Sequence, residues 1–84
     1  MPQFLVVFEF VDEAIFHVIN NLKNNLDIAF KGKYKLKIVF NSKNSSYVER
    51  YNLLGAPALI NLQTNQIIYG NFTNKDFLKK IYEI

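Results

Sequence analysis

Eighty-four residues, half of them apolar, with a formal net charge of +3, suffice for one small domain with a single core and are too few for two. The chain has no cysteine and one histidine, which excludes a disulfide framework, thiol catalysis, cysteine-based metal or cluster sites and a multi-histidine site. The charge falls well short of the dense Lys/Arg stripe of a dedicated nucleic-acid binder, and no apolar run has the form of a signal peptide or spanning helix, so a soluble cytoplasmic protein is expected.

Residues 3–10, Gln-Phe-Leu-Val-Val-Phe-Glu-Phe, form a nearly continuous run of β-branched and aromatic side chains, which predicts a central strand buried on both faces. Asp12 is placed to cap a helix and Glu13 to sit in its first turn, at the positive end of the dipole. Ala14, Ile15, Val18, Leu22, Leu26 and Ala29 recur at three-to-four spacing, with Phe16 and Ile19 widening the stripe, so one face of this helix packs on the sheet. His17, Asn20, Asn21, Asn24 and Asp27 share the opposite face, where His17 reads as a solvated bystander and not as a pH sensor. Gly32, between Lys31 and Lys33, is placed for a left-handed cap at the helix end.

Residues 34–40 alternate: Lys35 and Lys37 point one way, Leu36, Ile38 and Phe40 the other, which predicts a second strand. Lysines along a strand mark either a protected sheet edge or a basic docking surface. A polar loop over 41–46 follows, in which Ser45 or Ser46 caps a short helix carrying Tyr47, Val48, Tyr51 and Leu54 and closed by Gly55. Proline lacks an N–H and fixes φ, so Pro57 opens the third strand, 57–62. Thr64-Asn65 makes the hairpin turn to a fourth strand, 66–69, which Gly70 ends. Thr73 or Asn74 caps a last helix with Phe77, Leu78, Ile81 and Ile84 on one side and Lys75, Lys79 and Lys80 in water.

The order β-α-β, short helix, β-β, α predicts a single α/β domain over residues 1–84. A crossover makes the first two strands parallel neighbours, and the hairpin pairs with the free side of the first strand. The expected architecture is a thioredoxin-like fold: a mixed four-stranded sheet of order 2-1-3-4 with helices on its faces and the lysine-bearing strand on an edge.

A strand, a helix beginning about where a Cys-x-x-Cys would lie, and a proline opening the third strand resemble the thioredoxin and glutaredoxin family. The segment that would hold the redox pair is here Phe10-Val11-Asp12-Glu13-Ala14, with neither cysteine nor serine. A closer resemblance is to the KaiB family, the cysteine-independent thioredoxin-like component of the cyanobacterial circadian clock, and to KaiB-like sensory domains of histidine kinases. It is carried by Leu22 and Leu26 within Asn-Asn-Leu-Lys-Asn-Asn-Leu, by Phe30-Lys31-Gly32-Lys33-Tyr34 with Leu36-Lys37-Ile38, by Lys43-Asn44, by Leu54-x-x-Pro57-x-Leu59, and by residues 67–73, Ile-Ile-Tyr-Gly-Asn-Phe-Thr. The chain departs from the family in its first loop, in Ala56 where KaiB has threonine, and in lacking an acidic tail. Turn chemistry alone favours a trans Ala56-Pro57 bond; the resemblance implies a cis one. KaiB switches fold, yet the local propensities of residues 50–84 here agree with one hairpin-plus-helix arrangement, so a single ground state is expected.

The resemblance implies a non-enzymatic protein–protein interaction module, a clock or signalling adaptor, whose partner is another protein or a second copy of the chain. The expected interface is the edge strand together with the face formed by helix one and the proline loop; its expected binding residues are Lys31, Lys33, Tyr34, Lys35 and Lys37, and Ala56 with the structural cis Pro57. No catalytic residue, cofactor or metal site is expected, and disulfide reductase activity is ruled out because its thiolate is missing. The alternatives are a redox-inactive thioredoxin relative serving as a structural subunit, and a weak single-stranded nucleic-acid binder using the lysines with Tyr34 as a stacking ring.

Overall fold

The computed structural model describes residues 1–42, 46–70 and 80. Its elements are β1 (Gln3–Phe8), α1 (Glu13–Phe30), β2 (Lys35–Phe40), α2 (Tyr47–Arg50), β3 (Ala58–Asn61) and β4 (Ile67–Tyr69). The strands form one mixed sheet of order β2-β1-β3-β4, with β1 parallel to β2 and antiparallel to β3, and β3 antiparallel to β4. This is the expected α/β class and strand order, with the lysine-bearing β2 on an edge. The last helix expected from Thr73 or Asn74, with Phe77, Leu78 and Ile81, lies outside the described residues.

Both faces of β1 are buried, as its unbroken apolar run requires, and its two parities feed two cores. Phe4, Val6 and Phe8 pack with Leu59, Ile68 and the Ile15, Leu22 and Leu26 stripe of α1. Phe30 and Phe40 add tilted ring pairs, Phe4–Phe30 at 5.5 Å and Phe8–Phe40 at 5.9 Å between centroids. Leu5 and Val7 pack on the other face with Val39, Leu53, Ala58 and Ile60, covered by Tyr47 and Val48 of α2 and by Tyr51 at its C-terminal cap. Each fully buried Leu or Phe contributes about 1.5–3 kcal/mol relative to exposure, so Leu22 and Leu26, both 0% exposed, dominate the docking of α1. The stripe is narrower than its spacing suggests: Ile19 packs against the core, whereas Phe16 and Ala14 are exposed.

Several boundaries differ from expectation for reasons that lie in the pairing. β1 stops at Phe8 rather than Phe10, because β2 ends opposite Phe8 and β3 begins opposite Val7, leaving no strand to pair with Glu9 or Phe10. β3 runs from Ala58 to Asn61, its pairing starting one residue after the proline that cannot donate to a ladder. The left-handed turn after α1 begins at Lys31 (φ 55°) and continues through Gly32 (φ 75°), one residue earlier than expected. At α2 the correction is larger. Ser46 caps it as expected, its hydroxyl accepting from Glu49 N at 3.3 Å, but the helix closes at Asn52 (φ 55°) and not at Gly55. Asn52 N donates to Glu49 O (3.2 Å) and Leu53 N to Val48 O (2.8 Å), the paired bonds of a left-handed helix stop in which the residue after the left-handed one packs back on the helix. Leu53 therefore enters the core and Leu54 is 91% exposed.

Candidate functional site

The site is built where pairing runs out. Beyond Phe8 the chain crosses through Glu9, Phe10 and Val11 to α1, whose first turn is held by Asp12: its Oδ1 accepts from Ile15 N at 3.0 Å. Since Val7 pairs with Ala58, the antiparallel register brings Pro57 beside Phe8. The Ala56-Pro57 peptide is cis, as the resemblance implied. Between this peptide and the start of α1 lies a groove of about 340 Å³ lined by Phe8, Glu9, Phe10, Asp12, Ala14, Ile15, Val18, Ala56 and Pro57.

A second groove, about 390 Å³, shares Ala56 and Pro57 with the first and is otherwise lined by Leu54, Gly55, Tyr69 and Gly70. Its wall is pinned by Leu54 N, which donates to the Tyr69 hydroxyl at 3.1 Å, and by Gly70 N, which donates to Pro57 O at 3.1 Å. Ala56-Pro57 is thus shared by two shallow grooves, flanked by Phe10, Val11 and Leu54 in solvent. The lining of the first groove is apolar except for the Glu9 and Asp12 side chains and carries no hydroxyl, thiol, imidazole or amine. Its chemistry is that of a receptor for an apolar group with carboxylates at its wall. Among the described residues, no three His, Asp or Glu side chains stand close enough to hold a metal ion.

The residues expected to bind a partner fall into two separate places. Ala56 and Pro57 line the grooves, whereas Lys31, Lys33, Tyr34, Lys35 and Lys37 lie toward the opposite end of the sheet. Lys35 pairs with Gln3 and Lys37 with Leu5, whereas Pro57 stands beside Phe8, so along β1 the grooves are about 10 Å from Lys37 and about 17 Å from Lys35 at roughly 3.3 Å per residue. Lys35 and Lys37 are exposed on the outer strand. Tyr34 is half-buried: its ring packs against the α1 core, and its hydroxyl donates to Lys23 O at 3.4 Å. Burial, a hydrogen bond to Asp27 and the charge of Asp27 push its phenol up to about 12. A ring so engaged is less available for stacking on a base than a fully exposed one.

The expected face of helix one and the proline loop is where the first groove lies, but Phe8, Glu9, Phe10, Asp12, Ala14, Ile15 and Val18 in its lining, and Tyr69 in that of the second, were not singled out as site residues. Phe8 to Phe10 read as the end of a buried strand, and only the register of β3 reveals that the chain leaves the sheet there. The available signal was the proline itself, which marks where pairing of the adjacent strand begins.

Among the described residues, no helix is long and apolar enough to cross a membrane. No protein-family model matches the chain, and no curated protein matches it.

Proposed function

We propose that the chain is a non-enzymatic protein–protein interaction module of thioredoxin-like, KaiB-like type, a cytoplasmic clock or signalling adaptor that takes an apolar segment of its partner into the groove beside Ala56-Pro57. The observation that carries this reading is the exposure of a large apolar side chain in the groove lining, Phe10 at 73%, with its chain neighbour Val11 66% exposed. Such clustered apolar surface on a small domain marks an interaction site. Covering one of these side chains contributes about 1.5–3 kcal/mol, and neither stabilises the free domain by burial. The sheet order supports the thioredoxin-like assignment. The nucleic-acid alternative draws less support, because Tyr34 is engaged with the core and with Lys23.

The test compares capture from native extract, read by mass spectrometry, by the wild type and by two double variants. Phe10→Ser with Val11→Ser removes exposed apolar surface and is expected to lose the specific partner, whereas Lys35→Glu with Lys37→Glu is expected to retain it. The opposite pattern would move the interface to the β2 edge and overturn the groove reading.

A further inference from the structure

We infer that the groove beside Ala56-Pro57 receives a basic partner, a segment in which a bulky apolar side chain stands next to lysine or arginine. The inference rests on the interaction reading above and adds the chemistry of the occupant. At about 340 Å³ the groove is at the small end of ligand sites, so it holds one or two side chains of an extended segment. Phe8, Phe10, Val18 and Pro57 supply the apolar wall, and the charged side chains in the lining are both carboxylates, Glu9 and Asp12.

Three features keep the groove negative. Asp12 is fixed by its capping bond to Ile15 N through Oδ1, so its charge is held in place before any partner arrives. The α1 dipole offsets only about half an elementary charge there, while Glu13 adds another carboxylate in the same turn. Along the strand direction Lys37 lies about 10 Å and Lys35 about 17 Å from Phe8, both beyond the screening length of about 8 Å at physiological salt, so these exposed lysines are largely screened from the groove. An anionic segment is repelled, a neutral apolar one gains from burial alone, and a basic apolar one gains from burial and charge together.

The test uses three fluorescent peptides that share one leucine–phenylalanine core flanked by lysine, by serine or by glutamate. Each is titrated with the full chain by anisotropy, and its site is located from amide NMR shifts. The lysine peptide is expected to bind about fivefold more tightly than the serine peptide, as two exposed charge pairs allow, and the glutamate peptide most weakly. The lysine advantage should vanish near 1 M salt, where the screening length is about 3 Å. Glu9→Gln with Asp12→Asn should reduce the lysine peptide to the serine level, since asparagine keeps the helix cap and removes only the charge. Equal binding of the lysine and serine peptides, or an unchanged lysine advantage in the double variant, overturns the basic-partner inference while leaving the groove in place. If no peptide shifts Phe10, Ala14 or Ala56, the groove reading itself fails. If those amides shift with protein concentration alone, the occupant is a second copy and the inference is wrong.

Discussion

Leu53 and Leu54 are adjacent and chemically identical, and the structure gives them opposite roles. Leu53, 8% exposed, packs with Leu5, Val39, Ala58 and Ile60, while Leu54 is 91% exposed. Truncating a core leucine to alanine costs about 2–5 kcal/mol, and a site at the margin of a core belongs in the lower half of that range, so Leu53→Ala is expected to cost about 2–3 kcal/mol. Leu54→Ala should stay within about 0.5 kcal/mol, because the bond it makes to Tyr69 uses its backbone N–H. For a small domain whose total stability is on the order of 4–13 kcal/mol, the first change is a large fraction and the second negligible. In urea, with a slope near 1 kcal/mol per molar, the Leu53→Ala midpoint should fall by about 2–3 M and that of Leu54→Ala by less than about 0.5 M. Equal losses, or a larger loss at Leu54, would refute the helix stop at Asn52 and restore a helix running on to Gly55.

The remaining expectations concern single polar groups. Asn52→Ala should destabilise by about 1–2 kcal/mol, the cost of a left-handed residue without a compensating side chain, whereas Asn52→Gly should be nearly neutral; a neutral alanine variant would mean that the turn is not left-handed. Asn61, buried at the start of the β3–β4 turn, accepts from Gln63 N and Thr64 N at 2.9 and 3.3 Å. Asn61→Ala should therefore cost about 1–3 kcal/mol, and a melting temperature lowered by less than about 4 °C would contradict it. Because the folded-state pKa of Tyr34 is raised above the unfolded value near 10, its contribution is complete below pH 10 and is lost as pH rises towards about 12. In ultraviolet difference titration, Tyr34→Phe should delete a phenol that ionises near 12; deletion of one titrating near 10 would show that Tyr34 is not held by Asp27 and Lys23.

Most features that depend on near neighbours were legible in the sequence. The unbroken run from Phe4 to Phe8 dictates a strand buried on both sides, the spacing of Ile15, Leu22 and Leu26 dictates the helix face, and Asp12 and Ser46 act as caps because a cap is a contact three residues long. Strand order also followed, since short connections leave few ways to lay one crossover and one hairpin on a sheet. Even the stop at Asn52 was written locally, as an asparagine tolerant of left-handed backbone, but Gly55 competed for the same role and won on propensity alone. The groove was decided by tertiary structure. Phe10 reads as a strand residue until one knows that β3 reaches only to Val7, and the two sets of expected binding residues look like one surface until the register of β1 sets Lys37 three residues and Lys35 five residues from Phe8. Pairing register depends on residues fifty positions apart, and no local propensity encodes where two strands stop facing each other.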